Sequence, residues 1–448
     1  MLALAAALLL AQADAPPAEA ASRRYTIERI ELSGLSRTRE AAVRRLLAVS
    51  EGHVLDEEAV QVSRWKLLQV GWYSRVETRL TRGSERGLVV LVFSLTERNT
   101  LIVSDLVLGS TPPQPVYGGL GLSQQNFLGR GLGLSGAFVY GGSPADRPLD
   151  PPRFALKGAF FAPDIDLAPG IDRLVAGATL LWLRGEELTC ADPSCRDFRG
   201  HYGDAPRLRY ERLGGEAVVG IRPGPFERLF AGVRVERVQG RLVDDGTAAG
   251  PRPALLLGDR LLTALTGTYD RDTRDDFFFT RSGTRFSAQV TFASPAFGGD
   301  YEYSRWLLQA ETAFALPRGH ALRLAGTAGA TQGAAPFFDR FYAADWAYFS
   351  LGPALGRALE LNFSADSRYD AILAMLGAEY GVPLWSGGGF FHRGVLALGA
   401  RGLYSGAYAR APRTRLSRTP WSADVALRLD TPVGSFNLSL GYALDVFQ

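Results

Sequence analysis

Ser435–Phe447 reads SFNLSLGYALDVF. Phe436, Leu438, Leu440, Tyr442, Leu444 and Val446 fall on one face of an extended chain, and Ser435, Asn437, Ser439, Gly441, Ala443 and Asp445 on the other. Successive side chains of a strand point to opposite sides, so this segment has one apolar face and one polar or small face. The same rhythm runs through RLFAGVRVERV (Arg228–Val238) and RWLLQAETAFAL (Arg305–Leu316). Segments of roughly ten residues with alternating polarity, separated by turn residues, are the signature of a transmembrane barrel: one face meets lipid, the other a wet lumen. A soluble β-sandwich is the competing reading, but it uses strands of about six residues, shorter than these.

Fifteen such segments can be marked between residues 100 and 446. Their connections alternate in length. LGRG, RPGPFER, PRGH and TPVG are short; residues 185–207, 240–259, 294–303, 332–370 and 405–420 are long. Membrane barrels keep short turns in the periplasm and long loops outside. The odd count raises a problem, because single-chain bacterial barrels have an even number of strands. Either a strand lies hidden in ALGRALELNFS (Ala354–Ser364), or a closing strand is missing from the chain. The expectation is an all-β antiparallel barrel of about 16 strands over residues 99–448.

Composition agrees. The chain has 448 residues, long for one compact domain unless that domain is a large barrel. Gly numbers 51, above the roughly 7% of an average globule. The formal net charge is +3, and Lys66 and Lys157 are the only lysines, so no strong positive field points to nucleic acid. MLALAAALLLAQADA, residues 1–15, reads as a secretory signal peptide with small residues at Ala11 and Ala13, or Ala13 and Ala15, for cleavage, although no basic residue precedes the apolar run. A buried helix is the other reading. Residues 16–24 form a linker. No apolar run reaches the roughly 20 residues that a helical span needs. Cys190 and Cys195, in CADPSC, sit close together in a polar loop; in an exported chain they suit a small disulfide loop better than a metal site, which four His residues could hardly complete.

Residues 25–98 have a different rhythm. YTIERIELSGL is strand-like. TREAAVRRLLAV and DEEAVQVSRWKLLQVG are helical, the second capped by Asp56 and stopped by Gly71. WYSRVETRLT and LVVLVFSLTE form a hairpin around RGSERG, giving the order β-α-α-β-β. LLQVGWYSRVETRL…GLVVLVFSLTER resembles a POTRA domain, the periplasmic module of outer-membrane assembly and transport proteins. The resemblance rests on Gly71, Trp72, Tyr73 and Ser74, on Val76, and on Glu97 after the last strand. Such a small α+β domain binds rather than catalyses, because its three-stranded sheet exposes an edge to which an extended peptide can pair. The alternative is a rigid spacer docked under the barrel.

The barrel carries family marks as well. GLGLSQQNFLGRGLGLSG (Gly119–Gly136), with Asn126, Phe127 and Gly129, resembles an early strand and turn of the BamA/TamA superfamily. YDRDTRDDFFFTRSGTRF (Tyr269–Phe286) resembles that superfamily's strand–turn–strand signature, with Asp270, Asp272, Arg274, Phe279 and Gly283 at the matching positions and no Pro in the turn. Its aromatics suit a membrane interface, and its charges read either as a wet turn or as a structural lock. PFFDRFYAADWAY (Pro336–Tyr348) resembles the start of the long loop that folds back into the lumen. The superfamily's Arg-Gly-aromatic loop tip is absent; Arg357 stands nearest, with Glu379 as its implied acidic partner.

No Ser elbow, zinc-protease helix or phosphate loop occurs, so neither catalysis nor a cofactor is expected. The resemblance implies an outer-membrane protein whose POTRA binds unfolded outer-membrane or secreted proteins. A weak seam between the first and last barrel strands would template their insertion, and accessory periplasmic or lipoprotein subunits are further implied partners. Two other readings stay open: a two-partner-type secretion pore, or a passive pore or surface antigen with a structural POTRA.

Overall fold

The computed structural model describes residues 25–111, 114–142, 151–165, 174–188, 207–243, 255–276, 279–342, 369–387, 389–406 and 421–444. Residues 1–24, read above as signal peptide and linker, and Cys190, Cys195, Arg357 and the Ala354–Ser364 segment all lie outside the described residues.

The N-terminal domain has β1 (Thr26–Ser33), α1 (Glu40–Arg44), α2 (Glu57–Gln69), β2 (Tyr73–Arg82) and β3 (Leu88–Glu97). Helix α1 is shorter than the sequence pattern suggested: the chain turns off the helix after Arg44 so that Leu46 and Val49 can enter the core. Helix α2 begins where the Asp56 carboxylate accepts the Glu58 N–H at 3.0 Å, and ends before Gly71, whose φ of +74° only Gly adopts without strain. The sheet order is β1-β3-β2, with β1 parallel and β2 antiparallel to the central strand. Val43, Val60, Leu67, Trp72, Tyr73, Val76, Leu91 and Phe93 fill the space between sheet and helices.

The rest is one sheet of fifteen strands in sequence order. These are β4 (Leu101–Thr111), β5 (Gln114–Phe127), β6 (Leu132–Gly141), β7 (Arg153–Ile165), β8 (Leu174–Leu188), β9 (Arg207–Ile221), β10 (Glu227–Leu242), β11 (Gly258–Asp272), β12 (Gly283–Ala293), β13 (Tyr303–Ala315), β14 (Ala321–Gly333), β17 (Ile372–Ser386), β18 (Arg393–Gly406), β19 (Trp421–Thr431) and β20 (Gly434–Leu444). A two-residue ribbon, β15 (Phe341–Tyr342) with β16 (Tyr369–Asp370), lies between β14 and β17. Neighbours in the sheet pair antiparallel throughout, so with fifteen strands the first and last run in the same direction. An antiparallel ladder therefore cannot form directly between β4 and β20. Their backbones meet where Val103 N–H donates to Val433 O at 3.2 Å, and the sheet stays open as a ladder.

Alternation sorts the side chains as expected on the outer face. Leu213, Val219, Leu229, Val233, Val235, Leu265, Leu308 and Leu324 point outward and stay exposed, as a lipid-facing wall requires. Aromatic rings ring both ends: Tyr140, Trp182, Phe292, Trp306, Tyr404 and Trp421 at the far end, and Phe286, Phe314 and Tyr380 toward the N-terminal domain.

The inner face departs from the wet lumen read from the sequence. In the far half, Val139, Ala155, Leu183, Leu208, Tyr210, Val238, Leu262, Tyr303 and Phe337 pack into a buried apolar cluster. The strands are longer than the apolar wall needs, and their far ends place large apolar side chains on the inner face too. This inner half is a packed core in which apolar side chains are interleaved with buried ion pairs such as Arg153–Glu186 and Arg212–Glu236.

Candidate functional site

The domain meets the barrel at two places. The first is the β5–β6 turn, Asn126–Gly131. Asn126 Nδ2 donates to Thr38 Oγ1 at 2.9 Å, and Asn126 Oδ1 accepts the Gly131 N–H at 2.8 Å. Arg39 N–H donates to Gly129 O at 2.9 Å, and Trp72 Nε1 donates to Gln125 O at 2.9 Å. Gly129 (φ +68°) lies so close under Arg37 that an added Cβ would sit 2.1 Å from Arg37 O; at Gly131 it would sit 2.7 Å from the Trp72 ring. These glycines let two backbones and an indole approach face to face. Gly71 lies against the Gln125 side chain, while Tyr73 and Val76 turn inward to the domain core. Phe127 is exposed on the outer face.

The second place lies across the barrel mouth. Trp65 of α2 stacks edge-on against Phe226 of the β9–β10 turn, ring centroids 4.5 Å apart, and its Nε1 donates to Arg274 O at 3.0 Å. The domain thus straddles the mouth from the β5–β6 turn to the β11–β12 turn. Between them lies a cavity of about 1490 Å³ lined by Trp72, Asp272, Arg281, Arg323, Glu379 and Arg428, among others.

The 269–286 stretch builds that second turn. Arg274 forks onto Asp272, with Nε–Oδ1 2.9 Å and Nη2–Oδ2 2.8 Å, both groups buried. The Asp275 carboxylate accepts the N–H groups of Arg281 and Ser282, and Asp276 accepts that of Phe279. Asp270 accepts Arg285 Nε at 3.1 Å. Asp272 and Arg274 form a buried ion-paired lock, while Asp275 is exposed and Asp276 and Arg285 are partly exposed, so the turn holds a lock within a wet rim. Phe279 is buried too: the Arg393 guanidinium lies 4.1 Å from its ring centroid, so this ring faces the vestibule rather than lipid.

From Arg274 the ion pairs continue along the wall. Arg274 Nη1 lies 3.5 Å from Glu311 Oε2 on β13. Arg323 on β14 donates to Glu311 at 2.7 Å and to Glu379 on β17 at 3.2 Å. Arg428 on β19 donates to Glu379 Oε1 at 2.7 Å and pairs with its other oxygen as well. Acid and base alternate from β11 to β19, so within this row each described charge lies beside an opposite one. Both Glu379 oxygens are engaged by arginines of the wall itself; its implied loop partner, Arg357, is outside the described residues. Among the described residues no group of three or more His, Cys, Asp or Glu is set to hold a metal ion.

Trp65, Glu311, Arg323 and Arg428 were not singled out in the sequence. The last three each lie on the polar face of an alternating strand, but their partnership depends on register across neighbouring strands. At the foot of the seam, Arg98 lies 3.7 Å from Asp430, and Gly434 lets β20 approach Val103 O. Higher up, the edge leucines Leu108 and Leu440 are 79% and 81% exposed, flanked by a strand on one side only.

A small α+β domain mounted on an open antiparallel sheet, apolar outside and ion-paired inside, defines an outer-membrane barrel protein with a periplasmic POTRA domain. The profile of the Omp85 superfamily domain matches residues 126–446, and that of the POTRA, surface antigen variable number repeat, matches residues 25–98. The chain belongs to the Omp85 superfamily. It is 22% identical over 323 residues to the Outer membrane protein assembly factor BamA of Nitratidesulfovibrio vulgaris, covering 70% of this chain and 36% of that one. A 28% match over 253 residues to human Cartilage acidic protein 1 covers 51% of this chain and 36% of that protein. The chain thus spans about a third of the length of the curated relatives it matches. In fold it is similar to BamA from Haemophilus ducreyi lacking POTRA domains 1–3 (15% identity, 95% and 82% coverage, TM-score 0.51). It is also similar to CdiB from Escherichia coli (12% identity, 94% and 73% coverage, TM-score 0.64).

Proposed function

We propose that this protein assists the insertion of unfolded outer-membrane proteins, with the POTRA as client receptor and the β4–β20 seam as the template. The seam carries the reading: two edge strands run in one direction, and among the described residues one backbone bond, Val103 N–H to Val433 O, meets at its foot. An antiparallel client strand fits between two parallel edges and can pair with both. Strand β2 is the POTRA edge left open by the β1-β3-β2 order, since the 52–55 segment hydrogen-bonds along β1. A client segment can extend the sheet there by β-augmentation. Accessory subunits would join on the periplasmic side.

A protein-secretion pore is the second reading, and the fold similarity to CdiB favours it. The packed inner core of the far half weighs against passage along the barrel axis. The test is reconstitution in liposomes, with folding of urea-denatured outer-membrane proteins followed by protease protection, with and without residues 25–97. Acceleration that the deletion abolishes supports assembly. Rates equal to empty liposomes overturn it, and export of a co-reconstituted secreted protein would then favour the pore.

A further inference from the structure

The cavity between the POTRA domain and the barrel mouth carries an excess of positive charge. Arginines outnumber carboxylates on its lining, ten to seven. The carboxylates are already engaged. Glu379 takes Arg323 and Arg428, Asp272 takes Arg274, Asp270 takes Arg285, and Asp276 and Asp430 share Arg393. Glu97 is held by the Ser36 hydroxyl and two backbone N–H groups, and Asp275 by the N–H groups of Arg281 and Ser282.

Three arginines on the rim stand apart from these pairs. Arg228 opens β10, Arg281 sits in the β11–β12 turn and Arg318 in the β13–β14 turn. None of the three guanidinium groups has an ion-pair partner among the described residues. Arg228 stands opposite Asp270 in the ladder, but that carboxylate is taken by Arg285. The Arg281 guanidinium reaches the β13–β14 turn itself: it lies 3.9 Å from where a Cβ on Gly319 would stand, next to Arg318. Arg318 holds a φ of +61°, a left-handed conformation that Gly or Asn adopts with less strain. Two neighbouring turns thus carry like charges toward each other, and an anion set among them relieves the repulsion.

We propose that this rim and cavity bind an acidic segment of an extended polypeptide, and that the acid content of the segment decides which chains are held. The size fits a chain rather than a small ion: small-molecule pockets hold roughly 300–1,000 Å³, and this cavity holds about 1490 Å³. The route fits as well. Tyr73, Ser74 and Arg75, at the start of the open edge strand β2, line the cavity. A segment that extends the sheet along β2 therefore has one end among the arginines. Trp72, Trp385 and Phe161 supply apolar surface between the charges. The inference rests on the reading of the POTRA as client receptor and adds the chemistry that it selects; it holds for assembly and secretion alike.

The test is fluorescence anisotropy with the full-length protein in phosphatidylcholine nanodiscs. The probes are a dye-labelled peptide of alternating Val and Asp and the same peptide with Asn for Asp. Wild type should bind the acidic peptide about tenfold more tightly, each cation adding the small share of a partly exposed pair. The combined variant Arg228→Gln, Arg281→Gln, Arg318→Gln should lose that gap, and added salt should narrow it. Arg86→Gln, an exposed change in the β2–β3 turn, should keep it. Equal binding of both peptides by wild type overturns the acid preference and leaves the receptor reading standing; no binding of either overturns both. A gap that the combined variant retains overturns the site. So does a gap lost in discs of phosphatidylglycerol, which makes the rim a clamp for lipid headgroups. Where heat-shifted electrophoretic mobility shows that the combined variant does not fold, the salt titration of wild type decides: a gap that salt does not narrow overturns the proposal.

Discussion

Arg428 on β19 and Glu379 on β17 face each other inside the barrel across the intervening strand β18, Arg428 Nη1 lying 2.7 Å from Glu379 Oε1. Glu379 is 1% exposed and also takes Arg323 from β14, so one carboxylate holds together three strands. Glu379→Gln leaves two buried guanidinium groups facing a neutral amide. Loss of one partner from a buried ion pair costs about 3–5 kcal/mol. The expected result is a clear drop in the temperature at which the folded band converts to the unfolded band on electrophoresis. Glu31→Gln, on the exposed face of β1, should leave that temperature unchanged.

Glu97 gives the POTRA–barrel junction a pH dependence. Burial opposes its ionisation, but hydrogen bonds from the Ser36 hydroxyl and from the Thr38 and Arg37 N–H groups outweigh it and hold the pKa down at about 2. A carboxyl whose folded pKa lies below its unfolded value of 4.5 stabilises fully above that value and loses the contribution as pH falls toward 2. Glu97→Gln should therefore lower the hydrogen-exchange protection of the Thr38 amide in the full-length protein at neutral pH. The gap from wild type should narrow below about pH 4.5 and close near pH 2. A gap that stays constant from neutral pH down to pH 2 would show that the carboxylate charge plays no part.

Gly283 and Gly87 separate two kinds of glycine. Both have positive φ, +104° and +97°. At Gly283 a Cβ would lie 2.4 Å from Thr273 O, whereas at Gly87 nothing lies within 4 Å. Gly87→Ala should cost about 1 kcal/mol from backbone strain alone. Gly283→Ala must also displace the β11–β12 turn, and should cost roughly 2–3 kcal/mol. The comparison is read from urea midpoints of the refolded protein; equal midpoints would remove the steric argument.

How much of this was legible in the sequence follows from what each signal depends on. Alternation in Arg228–Val238 and Arg305–Leu316 reports which side each residue faces, and the outer wall came out accordingly. Asp56 and Gly71 bounded α2 because caps and positive φ are local. The partners of Glu379 were not legible, since they come from strands 56 and 49 residues away and depend on register. Phe279 was misjudged because an aromatic beside a turn reads the same whether it meets lipid or an arginine from β18. The dry far half was missed for a similar reason. Apolar residues such as Leu208, Val238 and Leu262 on the inward face look like breaks in alternation until the strands are assembled around them.

The POTRA mount predicts how the domain moves. The β5–β6 turn makes a backbone bond, Arg39 N–H to Gly129 O, and a side-chain bond, Asn126 to Thr38, to the domain and wedges Gly131 under Trp72, so it acts as the fixed point. Trp65 makes the far contact with one ring stack and one hydrogen bond, and is the weaker of the two. Removing the Trp65 ring forfeits the aromatic pair, about 0.5–1.5 kcal/mol beyond its burial, and frees the domain to swing about the first mount. Spin labels at Glu85→Cys and Arg281→Cys, in a chain with Cys190 and Cys195 replaced by Ser, report the motion. Trp65→Ala should broaden the distance distribution while the barrel still migrates as folded. Gly131→Ala, which drives a methyl into the Trp72 ring, should instead shift the whole distribution, because it moves the pivot itself. An unchanged width in Trp65→Ala would mean that the β5–β6 turn alone holds the domain rigid.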